Sequence, residues 1–251
     1  MNDSLFPQLQ DLPYFRALVR AVEASFYQNL PLPAPTLDIG CGDGHFTQMS
    51  FDHPIDVGLD PWAGPIHEAL RRSCYRLLVQ ADGGRAPFDR ETFASAISNS
   101  VLEHIPHIDQ VLGDVARCLK PGAPFYFCVP NERYLSELSI SRILGRGYTE
   151  WFRRISRVEH AEGPQRWQER LERSGFQLER WWHYFSPAAL HALEWGHYFG
   201  FPSLVARRLT GRWILVRSRW NLFLTEKYVR RFASTEPQPD GVFTFYQARK
   251  A

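Results

Sequence analysis

Apolar positions along this chain recur first at helical spacing and then in short runs. Phe15, Leu18, Val19, Val22 and Phe26 fall on one face of a helix over residues 12–30, which Pro31 and Pro33 close, because residues three and four apart share a helix face. From residue 36 to residue 129 short apolar runs alternate with amphipathic segments. That alternation predicts a parallel sheet with helices on both faces. Runs at 37–39, 55–59, 75–79, 93–100 and 125–129 read as strands. The helix before Lys120 is explicit: Ile108, Val111, Leu112, Val115, Cys118 and Leu119 form one stripe, and Pro121 and Gly122 stop it. Residues 131–163 are basic and aromatic and fit no standard strand. Residues 167–173 and then 174–178 read as a helix, a glycine cap and a strand, and residues 241–248 as a last, antiparallel strand. Ser186 and Pro187 suit the N-cap and first position of a helix running to about Tyr198.

The most informative run is Leu37, Asp38, Ile39, Gly40, Cys41, Gly42, Asp43, Gly44, His45 and Phe46. An apolar strand ends on three glycines at alternate positions, a spacing that lets backbone approach a ligand without Cβ interference. Such a loop belongs at the carboxyl end of the first strand of a doubly wound sheet, where ligands bind. A dinucleotide loop offers N–H groups to a pyrophosphate. Here Asp38 and Asp43 flank the glycines, which opposes phosphate and favours a cationic ligand. S-adenosylmethionine (SAM), with its sulfonium and ammonium, is such a ligand.

The run resembles the first motif of the class I SAM-dependent methyltransferases, and the resemblance continues in order through residues 34–130. Asp60 ends a second strand about 20 residues after the glycines, where a ribose-binding acid sits. Asp82 follows the third strand, and Val101, Leu102, Glu103, His104 and Ile105 follow the fourth. The resemblance implies an α/β fold: a doubly wound Rossmann-like sheet, mostly parallel with an antiparallel last strand, plus helical insertions forming a lid. It implies one domain over 1–251, with a cofactor half at 34–130 and substrate insertions at 131–163 and 186–240. The cofactor would be SAM and the product S-adenosylhomocysteine.

The resemblance also implies site residues. Asp38 would meet the SAM ammonium, although a capping acid would look the same. Gly40, Cys41 and Gly42 would form the loop under the cofactor, and Asp60 would accept two ribose hydroxyls. Pro61 and Trp62 would wall the adenine, although Trp62 serves equally as core. Asp82 and Gly83 would contact the adenine amino edge, although an exposed loop reads alike. A backbone carbonyl at Asn99 would accept from the ammonium. His104 has the chemistry of a general base, and it also fits as mere lining of the cleft. His104, His107 and Glu103 lack metalloprotease spacing, and no metal is expected.

Composition narrows the partners. A net charge of +2 over 251 residues argues against a chain dedicated to nucleic acid. The four cysteines form no CxxC pair, which predicts reduced thiols in a cytoplasmic protein. The opening Met1, Asn2, Asp3, Ser4 and Leu5 carry no leader features, so no signal peptide is expected. Seven of eight tryptophans lie between Trp151 and Trp220. Residues 201–231 carry eight cations against one acid, Glu226. That segment reads three ways: a solvated basic face over a lid, a peripheral contact with an anionic membrane, or a holder for an anionic substrate. The aromatic insertions suggest a small-molecule or lipid-like acceptor and predict tryptophans walling its pocket. A nicotinamide dehydrogenase is disfavoured, because His45 stands where G-x-G-x-x-G needs its third glycine. The other class of function is a non-catalytic SAM-binding or partner-binding module.

Overall fold

The computed structural model describes residues 4–251; Met1, Asn2 and Asp3, part of the stretch without leader features, lie outside the described residues. Two short helices open the chain, α1 (Leu5–Asp11) and α2 (Tyr14–Tyr27). The single helix expected over 12–30 is thus shorter and preceded by another. Pro13 stands at the N-cap of α2, where its missing N–H costs nothing.

A sheet of seven strands follows in the order β3-β2-β1-β4-β5-β7-β6. The strands are β1 (Thr36–Ile39), β2 (Ile55–Asp60), β3 (Tyr75–Gln80), β4 (Ser95–Asn99), β5 (Pro124–Pro130), β6 (Phe176–Tyr184) and β7 (Phe243–Lys250). β1 to β5 are parallel, and β7 runs antiparallel to both β5 and β6. The central strands β1, β4 and β5 are buried throughout, as strands covered on both faces must be. The chain reverses strand order between β1 and β4, which opens a crevice at their carboxyl ends.

Alternation along β5 feeds two cores. Phe125, Phe127 and Val129 pack with α5 (Ile108–Cys118) and α8 (Pro164–Arg173), together with Trp167 and Tyr246. Tyr126 and Cys128 pack on the other face with α2, α7 (Ser141–Ser156) and α9 (Pro187–Phe199), together with Phe243 and Phe245. Full burial of each such large side chain contributes about 1.5–3 kcal/mol.

β6 runs six residues beyond the expected end at 178. It is an edge strand, paired only with β7, and its register shifts between Leu178 and Arg180. Charged outward residues and that irregularity hide the period-two signal. The remaining helices are α3 (His45–Ser50), α4 (Ala63–Leu70), α6 (Arg133–Ser136), α10 (Phe201–Thr210) and α11 (Arg219–Val229). Ser186 Oγ accepts the Ala189 N–H and starts α9 at Pro187, as its sequence predicts. The four cysteines are free and buried. No helix among the described residues is long and apolar enough to cross a membrane.

Candidate functional site

β1 delivers its last side chains to the crevice, and the glycine loop turns there. Gly40 has φ +73°, and a Cβ on it would lie 2.3 Å from Val101 Cγ1. Gly42 has φ +55°, and a Cβ on it would meet nothing nearer than the Gly40 carbonyl oxygen at 4.0 Å. Only a residue without a side chain leaves that space open. Asp38, Gly40, Cys41, Gly42 and Asn99 line one cavity of about 60 Å³ with Arg16, Arg20 and His45. That is room for roughly two waters, so the cavity takes the end of a ligand and not a nucleoside.

The nucleoside side lies at the end of β2. Asp60 is buried; its Oδ2 accepts the Gly42 N–H at 3.1 Å and its Oδ1 the Trp62 N–H at 2.9 Å. Burial raises its pKa, and those two N–H groups pull it back. Each carboxylate oxygen keeps an unused lone pair, which fits a pair of ribose hydroxyls. Trp62 is 70% exposed, which removes it from the core, and Pro61 is exposed beside it. Asp82 is exposed and caps the turn Gly83–Arg85 by accepting the Gly84 N–H at 2.8 Å. The Ala81 N–H donates to the Asp60 carbonyl at 3.1 Å, so the ends of β2 and β3 stand side by side. The open loop at Gly42, the spare acceptors of Asp60 and the exposed indole beside them fit SAM.

Two of the expected groups already hold partners within the chain. Asp38 Oδ2 accepts the Thr47 hydroxyl at 2.8 Å and the Tyr75 hydroxyl at 2.6 Å. Burial pushes its pKa up to about 6 against those two bonds, and the second oxygen remains for a ligand. The Asn99 carbonyl accepts from Arg20 Nη1 at 3.3 Å. That donor comes from α2, whose apolar stripe alone suits a sheet cap and a cleft wall equally.

Arg16 and Arg20 line the cavity from above and give it positive as well as negative groups. Burial and the neighbouring Arg20 push the Arg16 pKa down to about 10, still cationic at neutral pH. Glu23, one turn on, is fully buried. It accepts from Asn99 Nδ2 at 2.7 Å, Ser100 Oγ at 2.7 Å and Tyr184 Oη at 3.0 Å. Sequence reasoning missed these three residues, although their i, i+4, i+7 spacing draws one polar line through an apolar helix. Such a line normally faces solvent.

His104 stands away from the cavity. Its ring is exposed, Nδ1 is 2.8 Å from the Arg157 carbonyl, and Nε2 is 3.8 Å from Glu103 Oε1. Burial pushes Glu103 up to about 8, and its Oε2 has no hydrogen-bond partner among the described residues. The histidine that does line the cavity is His45, with Nε2 3.3 Å from Asp11 Oδ2.

No tryptophan lines this cavity. Trp167 is buried against Phe127 and Tyr246, on the α5–α8 face of the sheet. Trp151 and Trp195 line an outer groove between α7 and α9. Trp220 is 89% exposed. Trp213 touches one cavity-lining residue, with Arg16 over its ring at 5.5 Å and Arg207 at 5.0 Å. Alanine, leucine and Phe15 fill the α2–α9 contact at the inner face of the lid, and Trp182 packs on Phe26 and Phe245.

Known proteins agree with this architecture. A family model for a methyltransferase domain matches residues 11–203. Trans-aconitate 2-methyltransferase of Methylobacterium nodulans is 32% identical over 114 residues, 43% of each chain. Ubiquinone biosynthesis O-methyltransferase of Hahella chejuensis is 28% identical over 145 residues, 50% of this chain and 58% of that one. The chain thus spans about half the length of the curated relatives it matches. A SAM-dependent methyltransferase from Thermotoga maritima shares the fold, with a TM-score of 0.60 at 14% identity over 94% of this chain and 91% of that one. With a family match over most of its length laid on a glycine-turned crevice that fits the cofactor, this chain belongs to the SAM-dependent class I methyltransferases.

Proposed function

We propose that this chain transfers the methyl group of SAM to a small-molecule or lipid-like acceptor. The observation that carries the reading is Asp60, buried at the end of β2 beside Gly42 with one acceptor site free on each oxygen. The names of the relatives, one acting on trans-aconitate and one in ubiquinone biosynthesis, support the acceptor class.

SAM supplies an activated methyl on a sulfonium, open to in-line attack. The chain's part is to hold and enclose it. On this reading Asp60 accepts the two ribose hydroxyls, Trp62 and Pro61 flank the adenine, and Asp82 and Gly83 meet its amino edge. Arg16 and Arg20 attract the carboxylate of the amino-acid tail, and the free oxygen of Asp38 faces its ammonium. Gly40, Cys41, Gly42 and Asn99 shape the wall. Residues 34–130 then form the cofactor half, and the insertions 131–163 and 186–240 select the acceptor. Burial favours the neutral form of Glu103 and His104 holds the Arg157 carbonyl through Nδ1, and the main lever on this reading is position: near-attack geometry supplies about 7–11 kcal/mol in well-oriented systems.

The test is transfer of tritiated methyl from SAM into cell extracts separated into aqueous and lipid fractions. Label should appear in a small-molecule or lipid species. SAM binding without transfer into any fraction would make the chain a binding module instead.

A further inference from the structure

The outer surface of the lid carries an apolar pattern that the fold does not use. α10 has no buried residue among those described, yet Phe201, Leu204, Val205 and Leu209 recur at i, i+3, i+4, i+8 and are all exposed, Leu209 by 79%. α11 repeats the spacing: Trp220, Phe223, Leu224 and Tyr228 are exposed, while Leu222 and Val229 on its other side are buried. A helix stripe of this kind normally faces a core. Here two successive helices turn it to the outside, joined by a connector whose Leu215 and Val216 are exposed as well. The pattern also extends backward across Gly200 to Phe199 and Trp195, whose rings stack.

The charges sort by side. The cations that turn inward anchor the lid to the body: Arg207 reaches Glu68 at 3.1 Å, Arg217 reaches Asp11 at 3.1 Å, and the Arg219 guanidinium lies 4.6 Å from the Phe6 ring centre. Arg208, Arg212, Lys227 and Arg231 are exposed and pair with no carboxylate among the described residues. The one acid of the segment, Glu226, is bound to Arg230. Apolar stripes edged by unpaired cations are complementary to one surface in particular, acyl chains beneath anionic headgroups. A water-facing role leaves the stripes unexplained, and an apolar partner leaves the unpaired cations unexplained.

We propose that the face formed by α10, the 211–218 connector and α11 docks on an anionic lipid bilayer, with the two apolar stripes at the depth of the headgroup–acyl boundary. The proposal does not depend on which acceptor is methylated or on methyl transfer itself.

Sedimentation with vesicles tests it, using phosphatidylcholine alone and phosphatidylcholine mixed with phosphatidylglycerol. The unaltered chain should bind the mixed vesicles about tenfold or more tightly than the neutral ones, and the difference should shrink as salt rises. Trp220→Ser with Leu224→Ser, and separately Arg208→Glu with Arg212→Glu, should each weaken that binding by about tenfold with an unchanged melting temperature. Brominated lipid should quench tryptophan emission of the unaltered chain and not of the first variant to the same degree. Absence of binding to either vesicle, or equal binding to both, overturns the proposal. So does a dimer in sedimentation velocity that the first variant dissolves, because the face would then belong to a second copy. The vesicle comparison on the unaltered chain decides the matter even if a variant fails to fold.

Discussion

The cofactor crevice and the lid use the same kinds of side chain in opposite ways. In the crevice the polar groups are buried and answered: Asp38 by Thr47 and Tyr75, Asp60 by two backbone N–H groups, and Glu23 by Asn99, Ser100 and Tyr184. In the lid the large apolar groups are exposed and unanswered, from Leu209 on α10 to Trp220 on α11. A buried carboxyl without partners is costly, so the crevice is rigidly specified. An exposed stripe costs little in the folded chain and is retained only for something that covers it. Perturbing the crevice should therefore disturb stability and cofactor binding together, whereas perturbing the lid should disturb neither.

The largest effect is expected at the loop. Gly40→Ala places a methyl carbon 2.3 Å from Val101 Cγ1 at a backbone angle of +73°. Left-handed strain of roughly 1–2 kcal/mol and overpacking of roughly 1–3 kcal/mol should add. Denaturant midpoints should fall, and calorimetry should no longer detect SAM.

Next is the pH response. Glu103 is raised by burial from 4.5 to about 8, and Asp38 by burial from 3.8 to about 6. At these two groups the folded chain keeps protons that the unfolded chain has released, so their contribution to stability should fall as pH rises from about 4 to about 8 and level off above, while His104, His183 and His197, lowered by burial, act in the opposite sense up to about pH 6.5. Glu103→Gln should remove the part of that slope above about pH 6. The effect between pH 6 and 8 should be on the order of 2 kcal/mol, since a tenfold difference in proton affinity between the folded and unfolded chain is worth about 1.4 kcal/mol. Urea midpoints across that range check it; a slope unchanged in the variant would place the proton elsewhere.

Asp60→Ala removes charge-assisted acceptors worth roughly 1.5–3 kcal/mol each. SAM affinity should drop by about tenfold or more in a chain that still folds, with a lowered melting temperature because the Gly42 and Trp62 N–H groups lose their acceptor. The smallest effect belongs to the lid: Leu209→Ser should shift stability by no more than about 0.5 kcal/mol, measured by the same urea midpoints.

The contrast between the halves also explains what was legible in the amino-acid sequence. β1, β2, β4 and β5 are buried on both faces, so their apolar runs and the glycines between them could be read directly. The mostly parallel sheet and the antiparallel β7 followed from the resemblance those runs carry, and the strand order came from the structure. Arg16, Arg20 and Glu23 were not legible, because a polar line on a helix is the pattern of a solvent face, and only the packing of α2 over β4 buries it. The end of β6 was lost to edge-strand polarity. Counting aromatics locates a distinctive region without saying which way the rings point. The spacing of Trp220, Phe223, Leu224 and Tyr228 does say it, once Leu222 and Val229 are seen to take the inner side.

Titration calorimetry on the full chain, with SAM, S-adenosylhomocysteine and NAD, bears most directly on the crevice. SAM and S-adenosylhomocysteine should bind the unaltered chain, Asp60→Ala should weaken both by about tenfold or more, and NAD should show no binding at comparable concentrations. Binding of NAD with neither adenosyl ligand, or an Asp60→Ala chain that is folded and binds SAM undiminished, would contradict the assignment.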